Sequence, residues 1–362
     1  MSRRILLNTL LTWLLVVSVW AWGVTPAHGQ PTHTYYVYVC AESDDEVALV
    51  SFGPQGVELV KSIPVGILPA ETEGLHGIDV SPDGKYWYVS IAHGLPFGTV
   101  HKYETGSDDW VADVTLDMYP ATLDISAATG LLYVVNFNLH GPLEPSSISV
   151  VETETMIEVA RVPTGIRPHG SRLNADGTRH YSVSVMSDEL VELNALSFEI
   201  SRRLRFSELA DPPNARAVVQ PTWVTSPTPQ GRVYVAGYNA DAIFEIDLER
   251  WMIRRTFSAG PGPYNLELTP DGETLVVTYK KGAAVGFWDL ESGREAARVD
   301  TTRTMPHGVV VTPDGRYAFV TLEGTGGEPG TVEIYDVEAR QRVGVVDVGK
   351  QASGVAFWKM EP

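Results

Sequence analysis

His76-Gly77-Ile78-Asp79-Val80-Ser81-Pro82-Asp83-Gly84 returns as His307-Gly308-Val309-Val310-Val311-Thr312-Pro313-Asp314-Gly315, and more weakly as Leu266-Glu267-Leu268-Thr269-Pro270-Asp271-Gly272. Each copy reads as a short strand ending in a Pro-Asp-Gly turn, where Pro is pre-set for the first turn position and Gly takes positive φ without steric cost. A β-branched and aromatic run follows each turn, Tyr86–Ser90, Thr274–Thr278 or Tyr317–Thr321, and reads as the return strand of a hairpin. In the last full unit two further strands follow, Thr331–Val337 and Arg342–Val348. Each unit is thus a four-stranded antiparallel meander.

Aligned on the residue that opens the first strand, the units begin at His76, Ala121, His169, Thr222, Tyr264, His307 and Ser353, with spacings of 45, 48, 53, 42, 43 and 46. Proline precedes that residue at Pro120, Pro168, Pro221, Pro263 and Pro306, and degenerate turns fill the Pro-Asp-Gly slot at Asn174–Gly177 and Pro229–Gly231. A period of this length suits a propeller blade. After Ser353 the chain supplies only one strand, Gly354–Lys359, whereas Tyr35–Cys40, Val47–Phe52 and Val57–Pro64 lack a first strand of their own. Joining the two ends completes a blade and pairs edges that would otherwise be open to aggregation. The expected architecture is all-β: a seven-bladed β-propeller of four-stranded antiparallel blades, one blade split between the termini.

Arg3 and Arg4 precede an apolar run from Ile5 to Trp22, and Ala27-His28-Gly29 offers small residues for cleavage before Gln30. This reads as a secretory signal peptide over residues 1–29, with residues 30–362 as a single propeller domain in the periplasm or secreted; a retained anchor is the alternative. Without residues 1–29, 25 basic residues face 45 acidic ones, a formal charge of −20. Such a surface repels phosphate backbones and anionic lipid, which disfavours nucleic-acid partners and, once the signal is removed, stable membrane insertion. Cys40 is the only cysteine, so there is no internal disulfide, no CxxC pair and no CxxCH haem attachment. Gly344–Lys350 satisfies GxxxxGK, but Gln351 replaces the required Ser or Thr and no helix follows.

Tyr88-Val89-Ser90, Tyr133-Val134-Val135-Asn136 and Tyr234-Val235-Ala236 are altered forms of the return-strand motif of YVTN-type seven-bladed β-propellers, which the chain resembles over its whole length after the signal. That group includes binding proteins, lactonase-like enzymes and domains similar to those of nitrous oxide reductase, where hub histidines hold copper. The resemblance implies the fold and the general idea of hub histidines. The separate cysteine-rich copper domain is missing here.

Strand direction places the candidate site. First-strand starts and second-strand ends share one face, and the Pro-Asp-Gly turns lie on the other. His76, His169 and His307 open first strands in blades 2, 4 and 7, counting the split blade as blade 1, so their imidazoles are placed to point into the hub. Three neutral imidazoles with an open position are what a zinc or copper centre requires, making these three the candidate ligands for copper or another transition metal. A structural role, with the following glycine packing against a neighbouring blade, is the competing reading, and then no cofactor is needed. His93 and His140 lie in long loops on the same face, and both are His-Gly pairs. Tyr119, Trp223, Tyr264 and Asn265 supply aromatic and hydrogen-bonding walls for a small ligand. Cys40 and Met186 sit at equivalent strand ends as possible soft ligands, Glu323 and Glu328 as acid–base candidates, and His101 and His180 as surface or packing residues.

Three functions follow: an exported binding propeller holding a small ligand or metal ion in a histidine-lined funnel; an oxidoreductase or lactonase-like hydrolase using the same pocket; and an interaction platform whose acidic rim recruits a basic periplasmic redox partner. No nucleophile–base pair is assignable from sequence, so enzyme activity stays open. The signal reading has a direct check. Mass analysis of the exported protein should find an N-terminus at Gln30, and an intact Met1 in the membrane fraction would establish the anchor instead.

Overall fold

The computed structural model describes residues 31–66, 71–92, 97–209 and 218–362; residues 1–29, read above as a signal peptide, and His93 lie outside them. Twenty-eight strands form seven four-stranded antiparallel sheets. In six of them the strands follow chain order, and in the seventh Ala352–Glu361 pairs with Thr34–Ala41, which continues to Glu46–Gly53 and Gly56–Pro64. The ring is therefore a seven-bladed β-propeller closed by a split blade. Strand bounds fall within one or two residues of those expected from the repeat.

The Pro-Asp-Gly turns form as their chemistry dictates. Gly84, Gly272 and Gly315 take φ of 70°, 72° and 73°. Ser81 Oγ donates to Asp83 Oδ1 at 2.7 Å, and Thr312 Oγ1 to Asp314 Oδ1 at 2.6 Å. Between the blades, alternate side chains of the second and third strands bury against the next sheet. Trp87, for example, stacks between Tyr38 of blade 1, at 5.3 Å, and Tyr103, at 4.1 Å. Cys40 belongs to this interblade core, which removes it as a metal ligand. His180 is likewise a packing residue, fully buried and stacked on Tyr133 at 4.9 Å. Arg202 and Arg203 pair with the buried Glu192 and Glu189 across one sheet.

Two backbone devices recur at the hub. Just before every first strand stands a residue in the left-handed region: Gly74, Tyr119, Arg167, Gln220, Gly262, Met305 and Gln351, with φ between 52° and 71°. Its carbonyl accepts the N–H of the residue just past the second strand in all seven blades, at 2.7–3.2 Å; Phe137 donates to Tyr119, Lys280 to Gly262, Glu323 to Met305, and Glu42 to Gln351. The second device is a one-residue bulge near the start of the first strand: Leu75 pairs with Ile91 but Ile78 with Val89. Blades 3 to 7 carry it too.

The bulge explains the His-Gly pairs. Gly77 N–H donates to Ser90 Oγ at 2.8 Å, and Ser90 Oγ–H donates to the Ala121 carbonyl of the next blade at 3.1 Å. Thr321 does the same between Gly308 and Ser353, at 2.8 and 2.6 Å. The blades meet so closely that a Cβ on Gly77 would lie 1.8 Å from the Ala121 carbonyl oxygen. The glycine is thus structural, while the histidine beside it is left to the hub. Gly77→Ala should cost about 2–3 kcal/mol through forced separation of blades 2 and 3. The check is a lower denaturant midpoint with an unchanged slope, and an unchanged midpoint would refute the close contact.

Candidate functional site

The three hub histidines converge. The His76 ring lies 5.7 Å from His169 and 5.3 Å from His307, centre to centre, and all three are buried. Aromatic rings fill the gaps: Tyr264 lies 4.8 Å from His307 and 5.5 Å from His169, Phe137 lies 4.8 Å from His169, and Tyr119 lies 5.7 Å from His76. His140 is exposed on the same face, its ring 5.4 Å from Tyr119. The face expected to be a funnel is filled by rings at its centre.

Polar contacts fix the state of each imidazole. His169 Nδ1–H donates to the Thr222 carbonyl at 2.8 Å, which leaves Nε2 to accept from the Tyr264 hydroxyl at 3.2 Å. Burial, reinforced by His76, holds His169 at about 3. His76 Nδ1 lies 3.4 Å from Glu42 Oε2, and Tyr119 O–H donates to Glu42 Oε1 at 3.0 Å. Burial and then Glu42 push the Tyr119 phenol up. His307 Nε2 stands 3.7 Å from Glu323 Oε1, which also takes Lys280 Nζ at 2.6 Å. Burial, and next the Lys280 ammonium, hold His307 well below the ordinary histidine range.

As they stand the three imidazoles do not offer a common open site: the His169 Nε2 lone pair accepts from the Tyr264 hydroxyl, which would have to turn away before a metal could take it. Among the described residues no group of three or more His, Cys, Asp or Glu stands where it could hold an ion. Met186 is exposed, two residues beyond the end of its strand Arg179–Ser184.

Beneath the rings runs an axial channel of about 240 Å³, whose inner end is lined by His76, His307, Trp223 and Asn265. Farther along, its wall carries Asp79, Asp124, Arg172 and Glu267. In blades 2, 3 and 7 the first four residues of the first strand are buried and the last two part-exposed, so solvent reaches the channel from the Pro-Asp-Gly side. The open space is therefore below the histidines rather than above them. Asp79 Oδ2 accepts Ile125 N–H of blade 3 at 3.1 Å, and Asp124 accepts Leu173 N–H of blade 4. Arg172 stacks on Trp223 at 4.7 Å, bonds the Ser171 carbonyl at 2.8 Å and approaches Glu267 Oε2 at 3.6 Å. Burial, and then the Asp124 carboxylate, raise Asp79 to about 7. Burial also raises Asp124 and Glu267 against the opposing pull of Arg172. Three residues that line the channel, Trp223, Asn265 and His307, each carry a buried polar atom without a hydrogen-bond partner, Nε1, Oδ1 and Nδ1 respectively.

The nine residues expected at the site divide as follows. His76, His169, His307, Tyr119 and Tyr264 come together as the ring plug, Trp223 and Asn265 line the channel, His140 stands at the outer surface, and His93 is outside the described residues. Sequence reasoning missed Glu42 and Lys280, although the residue just past each second strand forms a readable series: Glu42, Ala92, Phe137, Val185, Tyr238, Lys280 and Glu323. It also missed the charged layer of Asp79, Asp124, Arg172 and Glu267.

No protein-family model matches the chain. Antigen Lp49 of Leptospira interrogans is 21% identical over 312 residues, covering 75% of this chain and 65% of the antigen; the chain thus spans just under two thirds of that relative. Among solved structures, Kuenenia stuttgartiensis hydrazine synthase superposes with a TM-score of 0.65 at 17% identity, over 80% of this chain and 93% of that one. This last is a likeness of fold alone.

The two layers oppose one another in pH. Asp79 takes up a proton on folding, so its stabilisation is complete below its unfolded value near about 4 and is lost as pH rises through about 7. His169 sheds one on folding, so its stabilisation is complete above about 6.5 and lost as pH falls towards 3. Denaturant unfolding in pH steps should show Asp79→Asn tilting the slope of stability between pH 4 and 7 upward and His169→Gln tilting it downward. Parallel curves for wild type and both variants would contradict these assignments.

Proposed function

We propose that this chain is a binding propeller, exported as its N-terminal segment suggests, whose site is the axial channel beneath the histidine plug. One observation carries the reading: a channel of about 240 Å³ follows the ring axis, and its wall combines His76, Trp223, Asp79, Asp124, Arg172 and Glu267. Enclosed walls with a few polar groups suit a small polar ligand and exclude bulk water around it. The rings above close the channel's inner end, so the histidines act as wall and gate post rather than as metal ligands.

A thermal-shift panel of amines, polyols, carboxylates and sugars tests this. A ligand at a hundred times its Kd adds about 2.7 kcal/mol of stability. At least one class should raise the melting temperature of the wild type saturably, and the Arg172→Gln, Glu267→Gln double variant, which alters the polar wall, should lose most of that rise. A panel without shifts, or equal shifts in the variant, would remove the channel as the site.

A further inference from the structure

Six of the seven joints between blades are tied at the hub by one kind of bond, at 2.6–3.4 Å. The main-chain carbonyl of the residue that opens a first strand accepts from a side chain of the blade before it. His76 accepts from Ser353, Ala121 from Ser90, Thr222 from His169, Tyr264 from Thr222, His307 from Thr278 and Ser353 from Thr321. Among the described residues no side chain reaches the seventh carbonyl, that of His169. Blade 3 has nothing to send: Val135 occupies the seat of Ser90, Thr278 and Thr321, and Ala121 that of His169, Thr222 and Ser353.

Blade 4 departs from the repeat at the same joint. His180 stacks on Tyr133 of blade 3 at 4.9 Å, so its side of the sheet is the one turned to blade 3. Ser182 and Ser184 follow on that side at two-residue intervals, and Ser171 stands directly opposite Ser182. In blades 2, 3, 5, 6 and 7 this opposed pair is aliphatic: Ile78 and Val89, Leu123 and Val134, Val224 and Val235, Leu266 and Val277, Val309 and Val320. Ser171, His180, Ser182 and Ser184 are all fully buried, and their three hydroxyls and two ring nitrogens have no hydrogen-bond partner. Packed in the same interblade cluster are Val135, Ile148 and Val150 of blade 3, which have no polar side-chain atom to offer. Closing this joint therefore strips water from five polar atoms without a bond in return. In five other blades the same two seats bury aliphatic side chains instead.

We propose that the ring opens at one place, by parting blade 3 from blade 4 while the other six joints stay closed. Opening returns water to the serines and to His180. The bonds it breaks are few: Leu173 N–H to Asp124, Tyr133 O–H to the Ala195 carbonyl at 2.7 Å, and Arg167 Nη2–H to the Gly141 carbonyl at 3.1 Å. In the plug it separates Phe137 from His169, and in the channel wall it separates Asp124 from Arg172. Both layers of the hub thus gain a lateral mouth, whether or not the channel holds a ligand.

Ile125 and Leu173 occupy the same seat in blades 3 and 4, and each donates its N–H across a joint, to Asp79 and Asp124 respectively. In native-state hydrogen exchange of the full chain followed by NMR, Leu173 should exchange at least about tenfold faster than Ile125 after correction for intrinsic rates. Ser171→Ala combined with Ser182→Ala deletes two of the unpaired hydroxyls and should slow Leu173 at least about tenfold, leaving Ile125 unchanged. A thiol probe reads the same motion independently. Ser182→Cys and its blade 7 counterpart Val320→Cys, each combined with Cys40→Ala, should differ at least about tenfold in labelling by a soluble disulfide reagent, the blade 4 thiol being the faster. Equal exchange of Leu173 and Ile125, or equal labelling of the two thiols, would overturn the single opening joint. So would an exchange rate at Leu173 that rises with urea in step with every other hub amide, because global unfolding would then account for it.

Discussion

Seven times round the ring, a main-chain N–H just past a second strand donates to the carbonyl of a left-handed residue just before a first strand. For Tyr119, Arg167, Gln220, Met305 and Gln351 that conformation costs about 1–2 kcal/mol each, which a single hydrogen bond of about 1 kcal/mol does not offset alone. The bulge bonds and interblade cores on either side hold it in place. The consequence is that two positions per blade, one at each end of this bond, are fixed at the hub by backbone geometry whatever side chains they carry. Function then lies in how the blades differ at those positions, and Glu42, Phe137, Lys280 and Glu323 gather round the histidines for this reason.

The bulge sets the depth of the site. In a regular strand, residues two apart share a face. One extra residue near the start of each first strand changes the interval to three, so His76 and Asp79 both line the channel, as do His307 and Val310. The same interval links Ala121 to Asp124, His169 to Arg172 and Tyr264 to Glu267. A hub built from one strand per blade thus acquires two layers of different chemistry: rings and imidazoles above, carboxyls and a guanidinium below.

The fold was legible because its signals are local and repeated. Pro-Asp-Gly turns at fixed intervals, prolines at strand starts and one unpaired strand at each end leave little freedom in how the ring closes. The convergence of His76, His169 and His307 was legible too, since strand direction alone assigns them to one face. The second layer was not, because a bulge leaves no mark in composition: Asp79, three residues beyond His76, reads as a core-flanking polar residue when strict alternation is assumed. The fate of His169 was equally hidden. Its partners, the Thr222 carbonyl and the Tyr264 hydroxyl, come from blades 53 and 95 residues away, and only the closed ring brings them to its two nitrogens.

Proton placement separates binding from acid–base catalysis in this hub. A general base must gain a proton near the working pH. His169, held at about 3 with its acceptor nitrogen on Tyr264, does not meet that requirement. Asp79, raised to about 7, sits in the right range, but its two oxygens accept Val80 and Ile125 N–H and tie blade 2 to blade 3. A base that is also an interblade tie loses its hold on the scaffold when it reorients to move a proton.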